Sequence, residues 1–450
     1  MALKLGNDGT GSTDLLPVQF YIHGGGFVVF TNQYSGGDFF VHNDVIHVGF
    51  EYRLGVFGFL NLQNEIAPGN AGLKDQLAAL QWVNRNIQRF GGDPEKVTIV
   101  GESAGSMSVH WLTLLPQTEG LFRAAIMKSG AAYDVYTDKP KYFGEQLIKN
   151  LSKITPGKSV EDLLLKSTPD QLIAASPPFV EEGPFRPTFI SVEKRLVGTG
   201  LHLVTQDPES LVLQRVRSAV PMMIGVTSCE MAQSADAQYP YIMPNDPSFL
   251  MLVPGAVIPS KDTQRVLNIS AEALGYNYED VQSAIRNQFF KNFSADCDER
   301  CRFKQYIVQQ GIKLSAIRAL RHQAAFSSAP VYAYQYSYPA SPNDECAYHG
   351  ADDFKVWPIF ANTSYNGTSP DSLLLRRLVK FISNFIKYMD PVPDMTDADI
   401  KLRWPSMKAA SPDVYLNIGK ELSLPGTDLL GSDGPFWTNL FKKYRDGKSF

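Results

Sequence analysis

Cysteine is scarce in this chain: four in 450 residues, at Cys229, Cys297, Cys301 and Cys346. No pair has the Cys-x-x-Cys spacing of a zinc site and no His-x3-His follows, so no metal centre is expected. The run CDERC puts Cys297 and Cys301 four apart. That spacing suits a local bridge if the backbone bends, and equally two free thiols on a helix. An excess of one charge is also missing: 42 basic against 46 acidic residues leave a net charge of −4. A balance of that kind gives no electrostatic footprint for nucleic acid or an anionic membrane as partner. No apolar run approaches the roughly 18 residues that span a bilayer. The opening MALKLGNDGTGSTDLL lacks the apolar core of a signal peptide. What the chain does have is core-forming material, 44% hydrophobic and 12% aromatic, which excludes an intrinsically disordered protein.

Strand-like and helix-like segments alternate through the first half. LPVQFYIH (16–23) reads as a strand that breaks at three glycines, and DVIHVGFEYRLG (44–55) as a second. GLKDQLAALQWVNRNIQRFGG reads as a helix with Leu73, Leu77, Leu80, Val83 and Ile87 on one face, stopped by Gly91 and Gly92. KVTIVGE, FRAAIMKSG (122–130), AVPMMIGVTS (219–228) and PVYAYQYSY (330–338) are short and nearly all apolar, as strands buried on both faces are. Such alternation predicts a mostly parallel sheet with helices on both sides. The stretches 140–215 and 232–325 are more helical and polar. With no repeat and no linker, residues 1–450 are expected to form one domain with helical insertions.

VTIVGESAGSMSVH (97–110) carries the chemistry. GESAG fits the Gly-x-Ser-x-Gly elbow, with a strand before and a helix after, so Ser103 is the candidate nucleophile. Side chains at Gly101 or Gly105 would collide where the two chain segments cross. The glycines of YIHGGGF allow backbone N–H groups to converge, so Gly25, Gly26 and the Ala104 amide are candidate oxyanion donors. The base must be one of seven histidines. His23 and His110 are held in a strand and in the elbow helix, His42 and His47 flank a strand, His322 sits in a helix and His202 in an insertion. His349, in the loop ECAYHGADDF, is late in the chain and fits the order serine, acid, histidine. The acid between them is Glu230, which follows an apolar strand in PMMIGVTSCEMA and there requires a partner.

The uninterrupted stretch GNAGLKDQLAALQWVNRNIQRFGGDPEKVTIVGESAG (69–105) resembles the central signature of the type-B carboxylesterase/cholinesterase family. YIHGGGF, EYRLGVFGFL, GLFRAAIMKSG and GPFWTNLFKKY resemble its pattern too. The resemblance implies an α/β-hydrolase fold and maps Ser103, Glu230 and His349 onto a catalytic triad, with Gly25, Gly26 and Ala104 as the oxyanion hole. It places Glu102 and Ser129 as buried polar groups beside the site. There are departures. The family's segment before the His-Gly-Gly-Gly strand is absent, so the chain is expected to begin partway into the domain, through truncation or a gene-model fault. The aromatic that would bind a choline head group belongs to that segment. Met231 stands where the family has Gly after the acid, and Glu51 where it has Asn before Tyr-Arg.

The expectation is a serine hydrolase that cleaves small apolar carboxylic esters through an acyl-enzyme, a general carboxylesterase needing no cofactor. Phe179, Phe185 and Phe189 are candidate walls of an acyl pocket. A juvenile-hormone-esterase-like or cholinesterase-like enzyme is the alternative, though the hormone esterases commonly carry Gln where Glu102 stands. A non-catalytic adhesion member of the same fold, or an apolar-ligand binding protein, is the alternative of another class. Five Asn-x-Ser/Thr sequons, at Asn150, Asn268, Asn292, Asn362 and Asn366, together with the family, point to a secreted glycoprotein; the opening residues point the other way.

Overall fold

In the computed structural model, the residues described are 14–134, 136–137, 141–176, 190–194, 200–215, 220–230, 232, 278–290, 299–341, 344–359, 363–408 and 414–444. Eight strands form one sheet in the order β2-β1-β3-β4-β7-β8-β9-β10. They are β1 (Leu16–Ile22), β2 (Ile46–Gly49), β3 (Gly92–Glu102), β4 (Ala124–Lys128), β7 (Met222–Thr227), β8 (Val331–Tyr336), β9 (Leu416–Ile418) and β10 (Leu422–Ser423). All neighbours pair in parallel except the β9–β10 hairpin. Two short strands, β5 (Tyr136–Thr137) and β6 (Ile190–Ser191), pair separately.

The apolar runs are buried on both faces, and the two-residue period decides which core each side chain enters. Val97 and Ile99 of β3 face one core with Leu73, Leu77, Leu80, Val83 and Ile87, whereas Val100 faces the other with Leu375, Val379, Phe381 and Phe385. The first core lies under the helices Ala71–Asn86, Ala104–Leu114 and Leu314–Phe326; the second lies under Pro370–Tyr388. The stripe predicted on the first helix is fully used, and each such Leu contributes about 1.5–3 kcal/mol. His47 is a small departure: it sits inside β2, buried, rather than flanking it. Among the described residues no helix is long and apolar enough to cross a membrane.

Cys229 and Cys346 form a disulfide that no sequence spacing foretells. Cys301 is also disulfide-bonded, which removes the free-thiol alternative for it. Cys297, Met231, Phe179, Phe185, Phe189, Asn268, Asn292 and Asn362 lie outside the described residues.

Candidate active site

Strand β3 runs straight into the helix Ala104–Leu114, and the only residue between them is Ser103, at φ 55° and ψ −122°. A non-glycine residue there is strained by about 1–3 kcal/mol. The turn is held by Ser103 N–H donating to the Lys128 carbonyl (2.9 Å), and Met107 N–H to the Ser103 carbonyl (2.9 Å). Its tightness explains the flanking glycines. A Cβ on Gly101 would lie 2.3 Å from the Gly105 carbonyl carbon, and one on Gly105 would lie 2.0 Å from the Ile22 carbonyl oxygen. The glycine run after β1 packs against this turn: a Cβ on Gly24 would come 3.1 Å from Ser103 Cβ. Gly25 and Gly26 both have positive φ, 99° and 62°. Ala104, buried, is the first residue of the helix, so its N–H has no acceptor within that helix.

His349 comes to this turn from the loop after β8. Its Nε2 is 2.9 Å from Ser103 Oγ and its Nδ1 is 2.6 Å from Glu230 Oε2. Glu230, at the end of β7, is fully buried. Its other oxygen accepts from Ser129 Oγ (2.6 Å) and from Thr227 N–H (2.7 Å), so the charge demanded by its position is met on both oxygens. Burial alone would raise the Glu230 carboxyl; the imidazole beside it and these donors more than offset that and hold it below its ordinary value. Glu102, buried, lies 3.2 Å from His349 Nε2. Burial raises its carboxyl well above the usual range, with nearby Asp353 and Asp352 pushing the same way. For His349, burial lowers the imidazole, but the carboxylates of Glu102 and Glu230 outweigh it and lift the group to about 9. The imidazole is therefore strongly stabilised in its protonated form, while its side chain keeps 14% exposure.

The other histidines are engaged elsewhere. His23 is buried, with Nδ1 2.9 Å from the Gly24 carbonyl, and His110 Nδ1 accepts from Ala132 N–H (3.0 Å). Tyr133 Oη meets His322 Nδ1 at 3.0 Å. Glu51 is exposed and accepts from Thr31 Oγ1 and the Asn32 amide.

A second group beside the site escaped the reading of the sequence. Lys128, the last residue of β4, is buried and ion-paired with Asp353 and, at 3.8 Å, with Asp352. Tyr21 Oη donates to Asp353 and Tyr334 Oη to Asp352, each at 2.6 Å. Burial would lower the lysine; the two aspartates more than reverse this and raise it. The network ties the start of the helix Ala351–Val356, two residues past His349, to the middle of the sheet. Its signal in the sequence was a lysine ending an otherwise apolar strand, which cannot be buried without a counter-charge.

The profile of the Carboxylesterase family matches residues 7–430. Juvenile hormone esterase of Heliothis virescens is 28% identical over 402 residues, covering 85% of this chain and 68% of that one. Venom carboxylesterase-6 of Apis mellifera is 30% identical over 439 residues, covering 90% of this chain and 72% of that one. The crystal structure of juvenile hormone esterase from Manduca sexta, with OTFP covalently attached, has a similar fold. Its TM-score is 0.77 at 26% identity, covering 96% of this chain and 81% of that one.

Proposed function

The chain belongs to the carboxylesterase family, has the α/β-hydrolase fold and is a carboxylic ester hydrolase, and we propose that Ser103, His349 and Glu230 carry out its reaction. The observation that supports this most is the position of the His349 imidazole, within hydrogen-bond distance of a strained serine on one side and a buried carboxylate on the other. In this reading His349 Nε2 takes the proton of Ser103 as Oγ attacks the ester carbonyl, then returns it to the leaving alcohol. Water repeats the sequence on the acyl-enzyme. Glu230, acceptor at Nδ1, fixes the imidazole tautomer and stabilises the imidazolium. The amides of Gly25, Gly26 and Ala104 take the tetrahedral oxyanion; one such donor is worth about 10²–10³ in turnover. A covalent adduct in the Manduca sexta structure is in keeping with a nucleophile of this kind.

The proposed substrates are small apolar esters taken by a general carboxylesterase, with residues 1–450 acting as one domain. Replacing Ser103 with Ala tests the role: hydrolysis of p-nitrophenyl butyrate should fall by on the order of 10⁶, and retained turnover would place the chemistry elsewhere. A second reading, a juvenile-hormone-esterase-like specificity, is favoured by the hormone esterases of three insects among the relatives. Rates on juvenile hormone and on p-nitrophenyl butyrate, measured side by side, decide between them. We also read the protein as a secreted glycoprotein. Asn366 lies exposed in a turn, as an acceptor should, whereas Asn150 is in the helix Lys141–Ile154 with its amide donating to the Ala175 carbonyl (3.0 Å).

A further inference from the structure

The proposed acid and base sit on two segments that a covalent bond joins. Cys229 directly precedes Glu230, Cys346 lies three residues before His349, and their sulfurs are bonded across 117 residues of sequence with Cα atoms 5.9 Å apart. Two hydrogen bonds accompany the bridge: Cys229 N–H donates to the Ala347 carbonyl (2.9 Å) and Ala347 N–H to Ser228 Oγ (3.0 Å).

The two segments are anchored unequally. Glu230 is fixed to the sheet by Thr227 and Ser129. His349 is not on the sheet. Between the end of β8 at Tyr336 and His349, the described residues form neither helix nor strand, apart from one isolated bridge of Tyr348 with Cys229. Downstream, His349 is held by the ion pairs of Asp352 and Asp353 with Lys128. Upstream, the covalent anchor is the disulfide. Both of its cysteines are partly exposed whereas Glu230 is fully buried, so a reductant reaches the sulfurs without first opening the core.

We propose that the Cys229–Cys346 disulfide is a positioning element that holds His349 against Glu230, and that breaking it slows ester turnover in a chain that stays folded. The inference rests on the reading of Ser103, His349 and Glu230 given above. Reduction by a dithiol such as dithiothreitol breaks the S–S bond. Two electrons and two protons pass to the protein sulfurs, two thiols form, and the dithiol closes to its cyclic disulfide. The upstream half of the histidine loop then keeps only non-covalent contacts, among them the two hydrogen bonds of Ala347, the burial of Ala347 and the Glu345–Lys304 ion pair (3.8 Å). Displacing a reacting group by as little as about 1 Å costs about 100-fold in rate, so kcat should fall about 10- to 100-fold with KM nearly unchanged. The acid limb of the pH profile should move down, because an imidazole further from Glu230 is less stabilised when protonated.

The test uses the full chain with Cys297→Ser and Cys301→Ser, which leaves Cys229 and Cys346 as its only cysteines. The expected result on dithiothreitol treatment is the appearance of two thiols, the stated loss in kcat on p-nitrophenyl butyrate, an unchanged near-ultraviolet circular dichroism spectrum, and recovery on reoxidation. A Cys229→Ser/Cys346→Ser variant should match the reduced protein. Two titrated thiols with kcat and pH limb unchanged would overturn the proposal. So would activity lost only together with the near-ultraviolet spectrum, since the bridge would then serve the fold alone. The oxidised Ser103→Ala protein separates the two levels: turnover there sinks the assignment of the nucleophile, whatever the disulfide does.

Discussion

Replacing Glu102 with Gln should move the acid limb of the kcat/KM profile to lower pH. The structure sets both sign and size. His349 accepts a proton only when neutral, and its imidazole is raised to about 9, so the rate rises with pH through a limb above histidine's ordinary range. Among the carboxylates that lift it, Glu102 exerts the largest Coulombic attraction, with Oε1 3.2 Å from Nε2. Unit charges at that distance attract by ~5 kcal/mol at an effective dielectric of about 20. Glu102 carries its charge only part of the time, because burial raises its own carboxyl. The expected displacement is therefore smaller, about one to two pH units. Gln keeps the shape and loses the charge. The assay is kcat/KM for p-nitrophenyl butyrate from pH 5 to 10 for both proteins, with unfolding followed in parallel to confirm equal stability across the range. A limb that stays in place, or moves up, refutes the assignment of Glu102 as the charge that raises His349.

Lys128→Met would leave Asp352 and Asp353 buried without their cation. Removing one partner of a buried pair costs about 3–5 kcal/mol, so the denaturation midpoint should fall markedly, and an unchanged midpoint would refute the ion pairs as a source of stability. Ser129→Ala removes one of the two donors to Glu230 Oε1. A hydrogen bond to a charged group is worth about 1.5–3 kcal/mol, so stability should drop and kcat fall with KM little changed in steady-state assays. Asn366→Gln, in protein secreted from eukaryotic cells, should shorten the glycan-bearing band on a gel by one step, whereas Asn150→Gln should not.

Much of the sheet was legible because its strands are buried on both faces and so read as continuous apolar runs: KVTIVGE, PMMIGVTS and PVYAYQYS are β3, β7 and β8. Ser103 was legible for a local reason, since a turn that tight needs Gly101 and Gly105, and both stand in the pentapeptide. Chain order then brought Glu230 and His349 into view, and the structure brings all three side chains within hydrogen-bonding distance. What stayed hidden depends on partners far apart in sequence. Lys128 and Asp353 are 225 residues apart, and neither carries a local sign of the other. Cys229 and Cys346 likewise meet only because β7 and β8 are neighbours in the sheet. The β9–β10 hairpin was missed because LNIGKELS is too short and polar to stand out as two strands.

The decisive step is the acylation of Ser103 with His349 in contact. Rapid mixing with p-nitrophenyl acetate, acid quenching and peptide mass spectrometry measures this directly. A burst of p-nitrophenol matching the enzyme concentration, with the acetyl group on Ser103 and none in His349→Ala on the same timescale, is the predicted result. Sustained turnover with no acetyl group on Ser103 at any time would contradict it.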